Sequence, residues 1–92
     1  MARPQKNRKI DSQLKLNCYR PVWIDENTLE RVEIDPCEMQ AIKLSQLDNL
    51  SQSESAKYME ISASTFNRIL KSGNSKIADA LINGKAIKII TH

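Results

Sequence analysis

Apolar and polar positions follow two rhythms along the chain, and each predicts a different kind of element. Between residues 13 and 19 the period is two, with Leu14, Leu16 and Cys18 on one side and Lys15, Asn17 and Tyr19 on the other. That is the pattern of a half-buried strand, and Pro21, which cannot donate to a ladder, ends it. Residues 22–34 keep no decisive period. Trp23 and Ile24 read as buried, while Leu29, Val32 and Ile34 fit either a short helix or a short strand.

From residue 35 the rhythm lengthens to that of a helix. Asp35-Pro36-Cys37-Glu38 places a cap acceptor, a proline at the first helical position and a glutamate at the third. Met39, Ile42 and Leu47, helped by Ala41 and Leu44, then mark an inward stripe, predicting a helix over 36–48 that Asp48-Asn49-Leu50 interrupts. Ser51-Gln52-Ser53-Glu54 is a second capping box, and Ser55, Ala56 and Met59 form the inner face of a brief helix ending near Tyr58. Glu60-Ile61 makes a turn, and Ser62 caps a third helix. Phe66, Ile69, Leu70, Ile77, Ala80 and Leu81 carry its buried stripe to about residue 82, with Gly73-Asn74 inside it leaving either a continuous helix or a break or kink open. Asn83-Gly84 stops the helix, and Ala86, Ile87, Ile89 and Ile90 form a terminal strand. Its partner is expected to be the strand at 13–19, because an apolar strand left alone would be an exposed edge.

These elements predict a mainly α fold: a helix-turn-helix three-helix core with a small pair of N- and C-terminal β-strands. Residues 1–12 read as a flexible basic arm and 13–92 as a single domain, with the helix-turn-helix at about 51–72. Ninety-two residues, 40% of them hydrophobic and 27% charged, suit one core and not two. The chain holds no run near the ~18 apolar residues of a membrane span and no apolar leader, so a cytoplasmic protein with no membrane partner is expected. Cys18 and Cys37 lack metal-ligand spacing, and the one histidine is His92. No metal and no cofactor are therefore expected. With no Ser/His/Asp or Cys/His set and only two glycines to build a phosphate loop, the sequence reads as a protein that is not an enzyme.

Charge sharpens the picture more than composition does. The net charge is +3, but residues 1–20 hold six bases against one acid, residues 21–60 three against nine, and residues 61–92 five against one. A polyanion is attracted by both ends and repelled by the middle. No acid occurs between Ile61 and Ala78.

A helix-turn-helix needs a small residue where its helices cross, an apolar plug in the turn, and a second helix whose outer face enters the major groove. Ala56 and Ile61 supply the first two. With Phe66 and Ile69 inside, the outward set is Ala63, Ser64, Asn67, Arg68 and Lys71, with Ser62 and Thr65 at the helix start. Asn pairs with adenine and Arg with guanine through two hydrogen bonds each, and Ser and Thr meet bases or phosphates. Small residues at the start let the helix N-terminus approach phosphate. Arg3, Lys6, Arg8 and Lys9 of the arm add contacts to the DNA backbone. Double-stranded DNA is the expected partner. Single-stranded RNA fits less well, because aromatic side chains for stacking make up only 4% of the chain.

The segments Met-Ala-Arg-Pro at the start, Tyr19-Arg20-Pro21, Leu47-Asp48-Asn49-Leu50-Ser51-Gln52 and Ile61-Ser62-Ala63-Ser64-Thr65-Phe66-Asn67-Arg68-Ile69-Leu70 resemble the small prokaryotic UPF0251 (DUF134) proteins. The resemblance spans nearly the whole chain. It implies a sigma-70 region 4-like helix-turn-helix, DNA binding in transcription regulation, and a recognition helix beginning at Ser62. The family pattern carries glycine where this chain has Glu60, a position at which the turn favours positive φ.

Two further partners are expected. An acidic surface of Glu26, Glu30, Glu33 and Glu38 would suit an adaptor that contacts a transcription-machinery protein. A homodimer would suit a single helix-turn-helix that reads one half-site, through either the strand at 87–90 or the far end of the third helix around Ile77, Leu81 and Ile82.

Overall fold

The structure is a computed structural model that describes residues 18–22 and 28–90. The basic arm with Arg3, Lys6, Arg8 and Lys9, most of the predicted strand at 13–19, Trp23, Ile24 and Glu26 lie outside the described residues. The chain runs β1 (Cys18–Tyr19), β2 (Arg31–Ile34), α1 (Pro36–Ile42), α2 (Gln52–Met59), α3 (Ala63–Asn83) and β3 (Ala86–Ile89).

Each helix begins where its cap residues dictate. Asp35 Oδ1 accepts the Glu38 N–H at 2.8 Å and Glu38 Oε1 accepts the Asp35 N–H at 3.0 Å, closing the box at the start of α1. After Ile42 the winding widens over Lys43–Leu47, where the Asp48 N–H reaches the Lys43 carbonyl at 3.0 Å. A bond five residues back advances each residue by less than the ~100° of an α-helix, so the inward stripe is displaced. Leu44 stays buried, but Leu47, predicted to face inward, is 76% exposed.

Cys37, Ala41 and Leu44 meet Ala56 and Met59 of α2 and Phe66 of α3 in one buried cluster, which Leu50, Tyr58, Ile61, Ile69 and Leu70 flank. α3 runs through Gly73 without a break and is continuous for 21 residues. Gly73 lies where α3 crosses α1. A Cβ there would stand 3.0 Å from Ile42 Cδ1 and 3.2 Å from Glu38 Cβ, so the missing side chain serves close packing. Beside this crossing, buried Glu38 accepts hydrogen bonds from the Ser72 hydroxyl and, at 3.0 Å, from the Lys76 ammonium. Lys76 also donates to the Glu33 carbonyl at 2.8 Å, which ties β2, α1 and α3 together.

The expected strand pair is present and belongs to a three-stranded sheet of order β1-β3-β2. β1 is antiparallel to β3, with Cys18 opposite Lys88 and Tyr19 opposite Ile87. β2, the stretch that fitted helix or strand, runs parallel to β3 from Arg31 opposite Ala86 to Ile34 opposite Ile89. The helices form the crossover that a parallel connection requires. Ile34, Ala80, Ala86 and Ile89 are buried where sheet and α3 meet. Because α3 turns Phe66, Gly73 and Ala80 inward, Leu81 falls outside the stripe predicted for it and is 76% exposed. Cys18, assigned to the inner side of its strand, is exposed, whereas Cys37 is buried as a small apolar group.

Candidate nucleic-acid interface

α2 is fixed at its start by the second capping box: Ser51 Oγ accepts the Glu54 N–H at 3.1 Å and Glu54 Oε1 accepts the Ser51 N–H at 2.9 Å. The hydrogen bond from the Ser51 N–H holds the Glu54 carboxyl below its ordinary pKa. At its other end Glu60 takes the left-handed conformation, φ 61° and ψ 44°. The Glu60 N–H bonds to the Lys57 carbonyl at 3.1 Å and the Ile61 N–H to the Ala56 carbonyl at 3.0 Å. That closes the helix in the manner of a glycine cap, with glutamate in the glycine position. Ile61 then packs against the core as the turn's plug, and Ala56 is buried on the inner face of α2.

Ser62, extended at φ −75° and ψ 159°, caps α3 and accepts the Thr65 N–H at 3.1 Å. Its hydroxyl also donates to Thr65 Oγ1 at 2.9 Å. These two predicted contact residues therefore spend their hydroxyls on each other and on the helix start, with Ser64 Oγ 3.3 Å from Ser62 Oγ. Ala63, Ser64, Asn67, Arg68 and Lys71 are all exposed, as the periodicity predicted, and occupy the outer side of the first turns of α3. Asn67 and Lys71 also line an open depression with Leu70, Asn74, Ser75 and Ala78. Asn74, Ser75 and Ala78 were missed from the sequence, although the spacing 67, 71, 74, 78 marks a single helical face.

The cations of α3 divide into two kinds. Lys76 is engaged by Glu38, and Lys85, just beyond the helix, lies 2.9 Å from Asp79 and 3.8 Å from Glu30. The Asp79 hydrogen bond raises the Lys85 pKa, and Lys85 in turn lowers that of Asp79. Arg68 and Lys71 have no ion-pair partner among the described residues. The exposed start of α3 is thus a cationic, hydrogen-bonding surface held on a capped helix. The acidic set divides otherwise: Glu30 and Glu33 are exposed, but Glu38 points into the α1–α3 contact and is no part of an outer surface.

These features define a small, mainly α protein in which three helices pack with a small three-stranded sheet. The chain belongs to the family described as protein of unknown function DUF134, whose model matches residues 1–92. It is 44% identical over 89 residues to a UPF0251 protein of Caldanaerobacter subterraneus subsp. tengcongensis, covering 97% of this chain and 75% of that one. A UPF0251 protein of Thermoanaerobacter pseudethanolicus is 40% identical over 89 residues, with 97% and 75% covered. One from Methanosarcina mazei is 42% identical over 87 residues, covering 95% of this chain and 53% of its own length. No solved structure matches the chain. Among the described residues, no helix is long and apolar enough to cross a membrane.

Proposed function

We propose that this protein binds double-stranded DNA sequence-specifically and regulates transcription, laying the start of α3 from Ser62 into the major groove. The observation that carries this reading is the pair of cations, Arg68 and Lys71, that have no ion-pair partner among the described residues and share an exposed helix face with Ala63, Ser64 and Asn67. A polyanion supplies the charge that no described side chain offers them. In this reading Asn67 reads adenine through its amide, and Arg68 reads guanine N7 and O6. Lys71 meets the phosphate rim. The first-turn N–H groups of α3 and the Ser64 hydroxyl meet phosphate on the opposite strand, where Ala63 leaves room for close approach. Arg3, Lys6, Arg8 and Lys9 extend the phosphate contacts. The role is binding without catalysis, and it places the protein with the chromosome in the cytoplasm.

The test is fluorescence anisotropy on a duplex selected from random sequences. If about five phosphates are neutralised, log K falls with log[salt] at a slope of about −4 to −5. Asn67→Ala and Arg68→Ala each cost roughly 1–3 kcal/mol on the selected site and flatten its sequence preference. Lys9→Ala weakens all duplexes alike. A salt-independent signal, or unchanged preference in both α3 variants, overturns the reading.

A further inference from the structure

We infer that the middle of α3 carries a seat for one sugar-phosphate of a DNA backbone, formed by Lys71, Asn74 and Ser75 one to two turns beyond the residues assigned to base reading. The inference rests on the DNA-binding reading and extends it along the helix. α3 does not end after its first turns: it continues to Asn83, and its crossing with α1 at Gly73 holds this stretch from behind. At about 100° per residue, Asn67, Lys71, Asn74 and Ala78 fall within about 60° of one another, and Gly73 lies about 130° from their centre. With Leu70 and Ser75 on the flanks, these side chains line an open depression of about 390 Å³.

The chemistry of the lining selects the ligand. Lys71 brings a positive charge and ammonium donors, Asn74 an amide NH₂ and Ser75 a hydroxyl. All three side chains are exposed, and none has a hydrogen bond or ion pair among the described residues. No acid occurs between Ile61 and Ala78 to compete for them. The next acid, Asp79, has its carboxylate engaged by Asn83 at 2.6 Å and by Lys85 at 2.9 Å. The depression therefore attracts an anion and offers it hydrogen-bond donors. Leu70 and Ala78 add apolar surface beside those donors. A bare anion makes no use of that surface, whereas the C–H groups of a deoxyribose do. Phosphate joined to sugar is the repeating unit of the nucleic-acid backbone, and Asn and Ser donors beside a lysine are ordinary means of gripping it. Position agrees with chemistry. At about 1.5 Å per residue, Asn74 stands roughly 10 Å along α3 from Asn67. That is close to the ~12 Å width of the major groove. With Asn67 and Arg68 at base edges, the depression reaches the rim of the groove, where the backbone runs.

Anisotropy titrations of the 92-residue chain on its selected duplex and on an unrelated duplex test the seat. Asn74→Ala is expected to weaken both duplexes by the same factor, about three- to tenfold, and to keep the sequence preference that Asn67→Ala flattens. Asn74→Asp, nearly isosteric but negative, is expected to weaken both at least about tenfold. Gln46→Asp, which adds the same charge at an exposed position after α1, is expected to weaken them little. Backbone phosphates of the selected duplex are then replaced one at a time by neutral methylphosphonate. One position is expected to cost the wild type affinity and to cost Asn74→Ala nothing further. Circular dichroism checks that each variant is folded. Equal affinities of wild type, Asn74→Ala and Asn74→Asp overturn the inference and leave the DNA-binding reading intact. A loss in Gln46→Asp as large as in Asn74→Asp does the same, because net charge then accounts for both. An altered sequence preference in Asn74→Ala makes Asn74 a base reader and overturns the seat. A second copy lodged in the depression would show in sedimentation as a dimer that Asn74→Asp dissociates with duplex affinity unchanged, which also overturns it. A wild type that binds neither duplex removes the inference together with the reading.

Discussion

Ser55 carries a hydroxyl that is fully buried on the inner face of α2 and has no hydrogen-bond partner. It shares the buried side of α2 with Ala56 and Met59, where a small side chain is accommodated. The size is what the packing uses, and the oxygen is a cost: an unpaired buried hydroxyl loses its hydration without return. Ser55→Ala keeps the volume, removes the orphan group and improves helix propensity. It is expected to stabilise the protein by about 0.5–1.5 kcal/mol in denaturant melts. A loss of stability would show that the hydroxyl has a partner in solution, such as bound water. From the sequence Ser55 could be placed on the inner face by spacing alone. That its oxygen goes unsatisfied depends on which carbonyls and side chains the neighbouring helices bring, which no local pattern encodes.

At the scale of elements, the features legible in the sequence were those whose cause is local. Both capping boxes, the Ser62 cap and the stop at Gly84 each depend on residues within a turn of one another, and all formed where Asp35, Ser51, Ser62 and Gly84 predicted. The packing role of Gly73 was not legible, and Leu47 was misread, because their causes are not local. Gly73 answers to Ile42 and Glu38 across a helix crossing, and Leu47 to the wider winding after Ile42. Short β2 was ambiguous for the same reason, since its strand state rests on pairing with β3 far along the chain. The α2–α3 turn tests the local reasoning directly. Glu60 is in the left-handed region, which costs a non-glycine residue roughly 1 kcal/mol, whereas glycine is there at no steric cost. Glycine also raises the entropy of the unfolded chain, which offsets part of the relief. Glu60→Gly is therefore expected to lie between neutral and about 1 kcal/mol stabilising in urea unfolding. A loss above about 1 kcal/mol would mean that the side chain contributes a contact beyond its exposed position.

At the scale of the whole molecule, one buried carboxylate helps tie α3 to α1 and β2. Glu38 joins α1 to α3 through Ser72 and Lys76, and Lys76 passes the link on to β2 through the Glu33 carbonyl. Burial opposes ionisation of Glu38, but hydrogen bonds from Ser72, the Asp35 N–H and Lys76 together outweigh it, and its pKa lies below the ordinary carboxylate value. The charged form is thus the one the fold prefers. A carboxyl lowered on folding stabilises above its unfolded pKa, about 4.3 for glutamate, and loses that contribution as pH falls through the native value. Glu38→Gln keeps the shape, cannot ionise, and leaves the partly exposed Lys76 ammonium to turn towards solvent, so the expected loss at pH 7 is about 1–2 kcal/mol. The difference between wild type and Glu38→Gln should hold steady above about pH 5 and shrink as the solution is made more acid. Glu54 and Asp79, whose pKa values are also lowered, titrate in both proteins and cancel from the comparison. Denaturant melts from pH 7 down to pH 3 measure it. Parallel pH profiles for the two proteins would mean that Glu38 stabilises the α1–α3 contact by its shape alone, and that the charge on Lys76 is answered by solvent.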